Sequence, residues 1–137
     1  MANAHRIAVI PGDGIGKEVV PEGVRALEAA GKKFGIAFQW DEFPWSCDYY
    51  LKYGRMMPED WFEQIHRHEA IFFGAVGWPA TVPDHISLWG SLIQWRRRFD
   101  QYVNLRPAYL FEGVNSPLCH WVEDVAGQMV QDRKSVV

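Results

Sequence analysis

The chain has 137 residues, 48% of them apolar and 15% aromatic, with a formal net charge of −3. That length suffices for one domain with a real core, and the composition excludes a disordered chain. The charge gives no reason to expect nucleic acid or an anionic membrane as partner, and no apolar run approaches the ~20 residues that span a bilayer. The N-terminal residues run directly into a strand, so no signal peptide is expected. Two cysteines, Cys47 and Cys119, make no disulfide framework; they fit reduced thiols in a cytoplasmic protein, without a metal site built on them. Seven Trp must be largely buried, at a partner surface or around a site.

In chain order, Ile7-Ala8-Val9-Ile10 is a short, continuously apolar strand, as in a buried parallel sheet. Pro11 to Gly16 is a glycine-rich turn, followed by Val19, Val20, Val24, Leu27 and Ala30 at helical spacing, with Gly31 expected as the stop. Ile36, Phe38 and Trp40 alternate with Ala37 and Gln39 as a second strand, and Phe43 to Tyr50 reads as aromatic and irregular. Pro58-Glu59-Asp60 opens a helix carrying Trp61, Phe62 and Ile65. Ala70-Ile71-Phe72-Phe73 is a third strand, ending in Gly74-Ala75-Val76-Gly77-Trp78-Pro79. Ile86, Leu88, Trp89, Leu92, Ile93 and Trp95 predict one further helix, and Val103 to Phe111 an extended stretch at an edge, since it contains Pro107. Strands alternating with helices imply an α/β fold with an open, mostly parallel sheet and flanking helices. Ligands of such sheets sit outside the carboxyl ends of the strands, which places both glycine-rich segments on the ligand-binding rim.

Gly12-Asp13-Gly14-Ile15-Gly16 misses the dinucleotide fingerprint, because Lys17 stands where a further glycine is needed. Two readings stay open: an anion held at a helix N-terminus, or a tight strand-to-helix connection with no ligand. Asp13 is expected as a helix cap rather than a catalytic group. Gly74 to Gly77 lets a backbone approach something closely at a strand end.

The strongest signal is a pair of arginines ten residues apart, Arg96 and Arg106, where a helical pattern gives way to an extended one. Two planar guanidinium forks so placed can grip one small dicarboxylate, since their donors match carboxylate oxygens in pairs. Three consecutive residues on a helix cannot all face one way, so at most one or two of Arg96, Arg97 and Arg98 serve a site. Arg96 follows Leu92 by four residues and extends the apolar face, which makes it the inward member. The five His show no ligand spacing, and no Asp or Glu pair stands out as an acid–base couple or metal cradle.

Four segments together resemble the β-decarboxylating hydroxyacid dehydrogenases, the family of isopropylmalate and isocitrate dehydrogenases. They are Ile7 to Glu18, Phe73 to Pro79, Pro83-Asp84-His85-Ile86-Ser87-Leu88-Trp89-Gly90, and the arginine stretch ending Asn104-Leu105-Arg106-Pro107. Within the family the likeness is greatest to the branch acting on D-malate and tartrate. The resemblance implies a partial isopropylmalate dehydrogenase-like fold and a homodimeric NAD enzyme using Mg2+ or Mn2+. Such enzymes oxidise the 2-hydroxyl of a malate-like acid and release carbon dioxide. It implies that Arg96 and Arg106 bind substrate carboxylates, that Trp89, Leu92 and Ile93 meet the substrate's variable group, and that Gly74, Ala75, Val76 and Gly77 lie near the nicotinamide. A bulky indole at 89 favours a small substituent.

The family's catalytic tyrosine, lysine base and metal-binding aspartates come from regions after position 118, and none has a counterpart here. No catalytic or metal-ligating residue is therefore expected in this chain. Residues 1–118 are expected to be the N-terminal part of the dehydrogenase fold and 119–137 a tail foreign to the family. The chain alone is then expected to be inactive and to associate through an exposed sheet edge. A non-catalytic dicarboxylate-binding or regulatory subunit, or a frameshifted product, are the alternatives.

Overall fold

The computed structural model describes residues 4–106 and 109. Two compact units make up the chain, Met1–Phe99 and Asp100–Val137. The first holds all the described regular structure: β1 (His5–Gly12), α1 (Gly16–Phe34), β2 (Phe38–Glu42), α2 (Cys47–Tyr53), α3 (Trp61–Ile65), β3 (Ala70–Ala75), α4 (Asp84–Trp89) and α5 (Leu92–Arg98). The expected boundary at 118/119 and the tail lie outside the described residues.

The sheet is parallel, in the order β2-β1-β3. Its middle strand is apolar without interruption because both faces are covered. On one face Ala8 and Ile10 pack with Ile71, Phe73, Trp45, Met57, Ile65 and Trp95. The Trp95 ring meets Phe73 edge-on at 4.9 Å, and its indole N–H donates to Met57 Sδ at 3.0 Å, which satisfies the one polar atom of a buried indole. On the other face α1 lies so close that Phe72 abuts Gly23 and Val20 abuts Gly74. The architecture is thus an open parallel α/β sheet with flanking helices, and among the described residues the outer edges of β2 and β3 pair with nothing.

Several local expectations are corrected. β1 runs two residues further than its apolar core, through Pro11 and Gly12; its pairing with β2 has already ended at Val9 and Glu42, two residues before Pro11. Gly31 does not stop α1. It is buried inside the helix because a Cβ there would lie 2.6 Å from the Ile36 carbonyl oxygen, and Gly35, left-handed at φ 71°, makes the true end. The stretch read as irregular contains α2, capped by the Ser46 hydroxyl accepting from the Tyr49 N–H and ended by left-handed Gly54. The single helix expected over 86–95 is two, parted at Gly90-Ser91, where a Cβ on Gly90 would lie 2.8 Å from Met56 Cγ. Of the expected extended stretch, Val103–Arg106 and Tyr109 are described and form no strand.

Of the tryptophans, Trp45 and Trp95 are buried while Trp78 and Trp89 are exposed. His68 has a buried side chain whose ring nitrogens lie 2.8 Å from Asp41 Oδ2 and 3.1 Å from the Ile65 carbonyl. Arg6, ahead of His68, holds the Asp41 carboxyl below the ordinary carboxylate range. This network ties β1, β2 and the α3–β3 connection together and leaves His68 no role as a ligand.

Candidate functional site

Three parallel strands bring three loops to one rim: Asp13–Ile15 after β1, Phe43–Ser46 after β2, and Val76 onward after β3. Asp13 joins them. Its carboxylate, almost wholly buried, accepts from the Cys47 N–H at 2.9 Å and from the Gly77 N–H at 3.0 Å. Its own N–H donates to the Ala75 carbonyl at 2.6 Å. The expected cap of α1 is therefore a different device. Asp13 makes no side-chain bond to α1, and its charge sits instead at the amino end of α2.

The glycines of the two rim segments pack on one another. A Cβ on Gly12 would lie 2.0 Å from the Ala75 carbonyl oxygen, one on Gly16 2.0 Å from the Pro11 oxygen, and one on Gly74 2.3 Å from that same oxygen. The close approach that glycine serves here is backbone against backbone. Gly12 to Gly16 form a tight strand-to-helix connection, and this packing accounts for the glycines at 12 and 16. Gly77 differs: its φ of 122° demands glycine, while a Cβ would meet only Ser87 Oγ at 3.7 Å. Val76 packs beside Cys47, Met56 and Val82.

Cys47 is a free, buried thiol. Burial first, and then the neighbouring Asp13 carboxylate, push it up to about 11 from an ordinary 9.0. Because the folded state holds this proton more tightly, the stabilisation is fully present below pH 9.0 and is lost as pH rises from there to about 11. The Lys17 ammonium, bonded to Asp48, is likewise raised and loses its contribution on the same side. We expect wild type to lose on the order of 2 kcal/mol more than Cys47→Ala between pH 8 and 11, read from urea unfolding at each pH. Native-state iodoacetamide labelling at pH 8 should leave Cys47 unmodified.

The arginine-bearing corner follows on the same unit. Of the consecutive arginines, Arg96 is half-buried and Arg97 and Arg98 are exposed, as the four-residue offset from Leu92 requires. Leu92 packs against the core around Trp45 and Trp95, Ile93 is half-buried, and Trp89 is exposed. The Arg97 guanidinium stacks over the Trp89 ring at 5.0 Å and that of Arg98 over Phe62 at 4.5 Å. Among the described residues none of Arg96, Arg97, Arg98 or Arg106 forms an ion pair with a carboxylate. Arg106 is an exposed residue of the second unit. Among the described residues no group of three or more His, Cys, Asp or Glu could hold a metal ion. No described helix is long and apolar enough to cross a membrane.

Parallel strands whose connecting loops converge at the carboxyl rim are the architecture of the open-sheet α/β proteins, which take their ligands there. The chain belongs to the isocitrate/isopropylmalate dehydrogenase family, whose model matches residues 6–133. It is 63% identical over 119 residues to the D-malate dehydrogenase [decarboxylating] of Escherichia coli, covering 86% of this chain and 33% of that protein. It is 62% identical over 120 residues to the tartrate dehydrogenase/decarboxylase of Pseudomonas putida, covering 87% of this chain and 33% of that protein. The chain thus spans about a third of the length of these relatives. A solved β-decarboxylating dehydrogenase from Thermococcus kodakarensis is 35% identical and matches with a TM-score of 0.48, over 72% of this chain and 27% of that one.

Proposed function

We propose that this chain is the substrate-recognition segment of a dehydrogenase that oxidises and decarboxylates a malate-like 2-hydroxy acid, D-malate or tartrate. The observation that carries the reading is the identity above 60% to two enzymes named for those substrates, across most of this chain. In this reading Arg96 and Arg106 take the substrate carboxylates, and Trp89, Leu92 and Ile93 border its variable group. Arg96 suits the role physically: it is a half-buried cation to which no described carboxylate is paired. Such a cation gains most from an anionic partner brought by the ligand.

The family reading brings NAD and Mg2+ or Mn2+. The described residues offer the metal no cradle, so none of them is assigned to it. For the cofactor, the reading assigns Gly74, Ala75, Val76 and Gly77, which end β3 and open the following loop, to the nicotinamide side. The Gly77 N–H is already given to Asp13, and Gly74 is packed on Pro11, so the loop would offer a side-chain-poor surface rather than free amides. NAD supplies a hydride acceptor when bound; this chain's part is to hold the diacid and shape that surface. A homodimer in the cytoplasm belongs to the same proposal.

Calorimetry of the 137-residue chain with D-malate tests it. Binding should weaken about ten-fold or more in Arg96→Ala and in Arg106→Ala, since each charge-assisted pair contributes roughly 1.5–3 kcal/mol. Heats unchanged by both substitutions would remove the diacid from these arginines.

A further inference from the structure

The corner between α4 and α5 is tied together by buried contacts. The Ser91 hydroxyl donates to the Ser87 carbonyl at 2.5 Å, both serines are buried, and Gly90 is pressed on Met56. Trp89 ends α4 on one side of this corner and Arg97 lies on the last turn of α5 on the other. Across this corner the two side chains meet at the surface, the guanidinium 5.0 Å from the indole centroid. The indole nevertheless remains 55% exposed. An exposed indole with free torsions would sample several rotamers, and lying beside a site it would exclude nothing reliably. A guanidinium over its face favours one of them, because the ring quadrupole attracts the cation. Arg97 has no described carboxylate partner competing for it.

We propose that Arg97 is a positioning residue: it holds the Trp89 indole as a fixed wall, and that wall keeps branched substituents on the third carbon of a malate-like diacid out of the site. The inference rests on the diacid reading above and adds to it the residue that makes the wall stiff. Arg96 grips the substrate, and its neighbour one step round the helix acts only through the indole. The two arginines therefore have separable effects. Losing Arg96 weakens every diacid, whereas losing Arg97 changes the preference between a small and a branched one.

The test uses the whole 137-residue chain labelled with 5-fluorotryptophan, the Trp89 resonance being assigned by its disappearance in Trp89→Phe. In Arg97→Met the Trp89 fluorine signal should shift and broaden while the buried Trp45 and Trp95 signals stay in place; Arg97→Lys, which keeps the charge, should restore part of the shift. Calorimetry with D-malate and with an isopropyl-substituted malate should then show the preference for D-malate falling about two- to five-fold in Arg97→Met, the size carried by a stack at an exposed site. A Trp89 signal indifferent to Arg97→Met overturns the stack. A moved signal with an unchanged preference overturns the wall. Failure of D-malate to bind wild type, with the signal still moving, sinks the diacid reading and the wall with it, but leaves the stack standing as a separate result.

Discussion

Asp13→Ala is expected to destabilise the protein by about 2–5 kcal/mol, measured as a lowered midpoint in urea unfolding. The carboxylate accepts from two backbone N–H groups, one on α2 in a buried bond and one on the loop after β3 in a half-buried bond. Deleting an acceptor leaves each donor with its desolvation penalty, about 1–3 kcal/mol apiece. Against the roughly 5–15 kcal/mol that holds a domain of ordinary stability, this is a large fraction. Asp13→Asn discriminates between charge and geometry. Its amide oxygen can serve one N–H, but its NH2 must face the other, so it should recover only about half of the loss. The same substitution reports on Cys47. With the neighbouring carboxylate gone, one cause of the raised thiol value disappears, and iodoacetamide should label Cys47 faster at pH 9 in Asp13→Ala than in wild type. An Asp13→Ala protein within about 0.5 kcal/mol of wild type would show that the three loops do not depend on this carboxylate.

Adding a single methyl group at Gly16 or Gly74 should be at least as damaging, about 3 kcal/mol or more. The obstacle in each case is the Pro11 carbonyl oxygen, at 2.0 Å from a Cβ on Gly16 and 2.3 Å from one on Gly74. A main-chain oxygen in the central strand cannot swing aside as a side chain can. The β1–β3 pairing or the start of α1 must shift instead. Gly16 is the cleaner test, because its backbone is helical and alanine would be preferred there on propensity alone. Gly35→Ala is the control: its φ of 71° is strained for alanine, but its Cβ would meet nothing within 4 Å, so about 1 kcal/mol is expected. Equal losses at Gly16 and Gly35 would mean that conformation, and not contact between the rim segments, explains these glycines.

β1 and β3 were legible in the linear text because a strand covered on both faces needs apolar residues at every position, and few other segments have that composition. Arg96 was legible as the inward arginine because a helix repeats its face four residues on from Leu92. The helix α2 was not: Tyr49, Tyr50 and Tyr53 give no apolar stripe, and it is specified by its ends, the Ser46 hydroxyl and the left-handed Gly54. The signal was present as a serine three residues before its bonded N–H and a glycine after the last turn. The break at Gly90 was hidden for another reason. Apolar spacing runs unbroken across it, while the contacts that crowd Gly90, the Ile86 carbonyl oxygen and the Met56 side chain more than thirty residues earlier, come together only on folding.

The rim divides the same way. By itself the sequence determined the class of fold, the parallel sense of the sheet and which of the consecutive arginines turns inward, because alternation of elements, continuous apolar runs and helical periodicity are local properties. Only the tertiary structure decided what Asp13 and the glycines are for. A carboxylate that accepts from residues 34 and 64 positions away, and glycines pressed on a strand far along the chain, answer to neighbours brought close by folding, and no short-range pattern records them. Arg97 belongs with these: three consecutive arginines look alike in the text, and the turn between two short helices is what sets one of them over an indole.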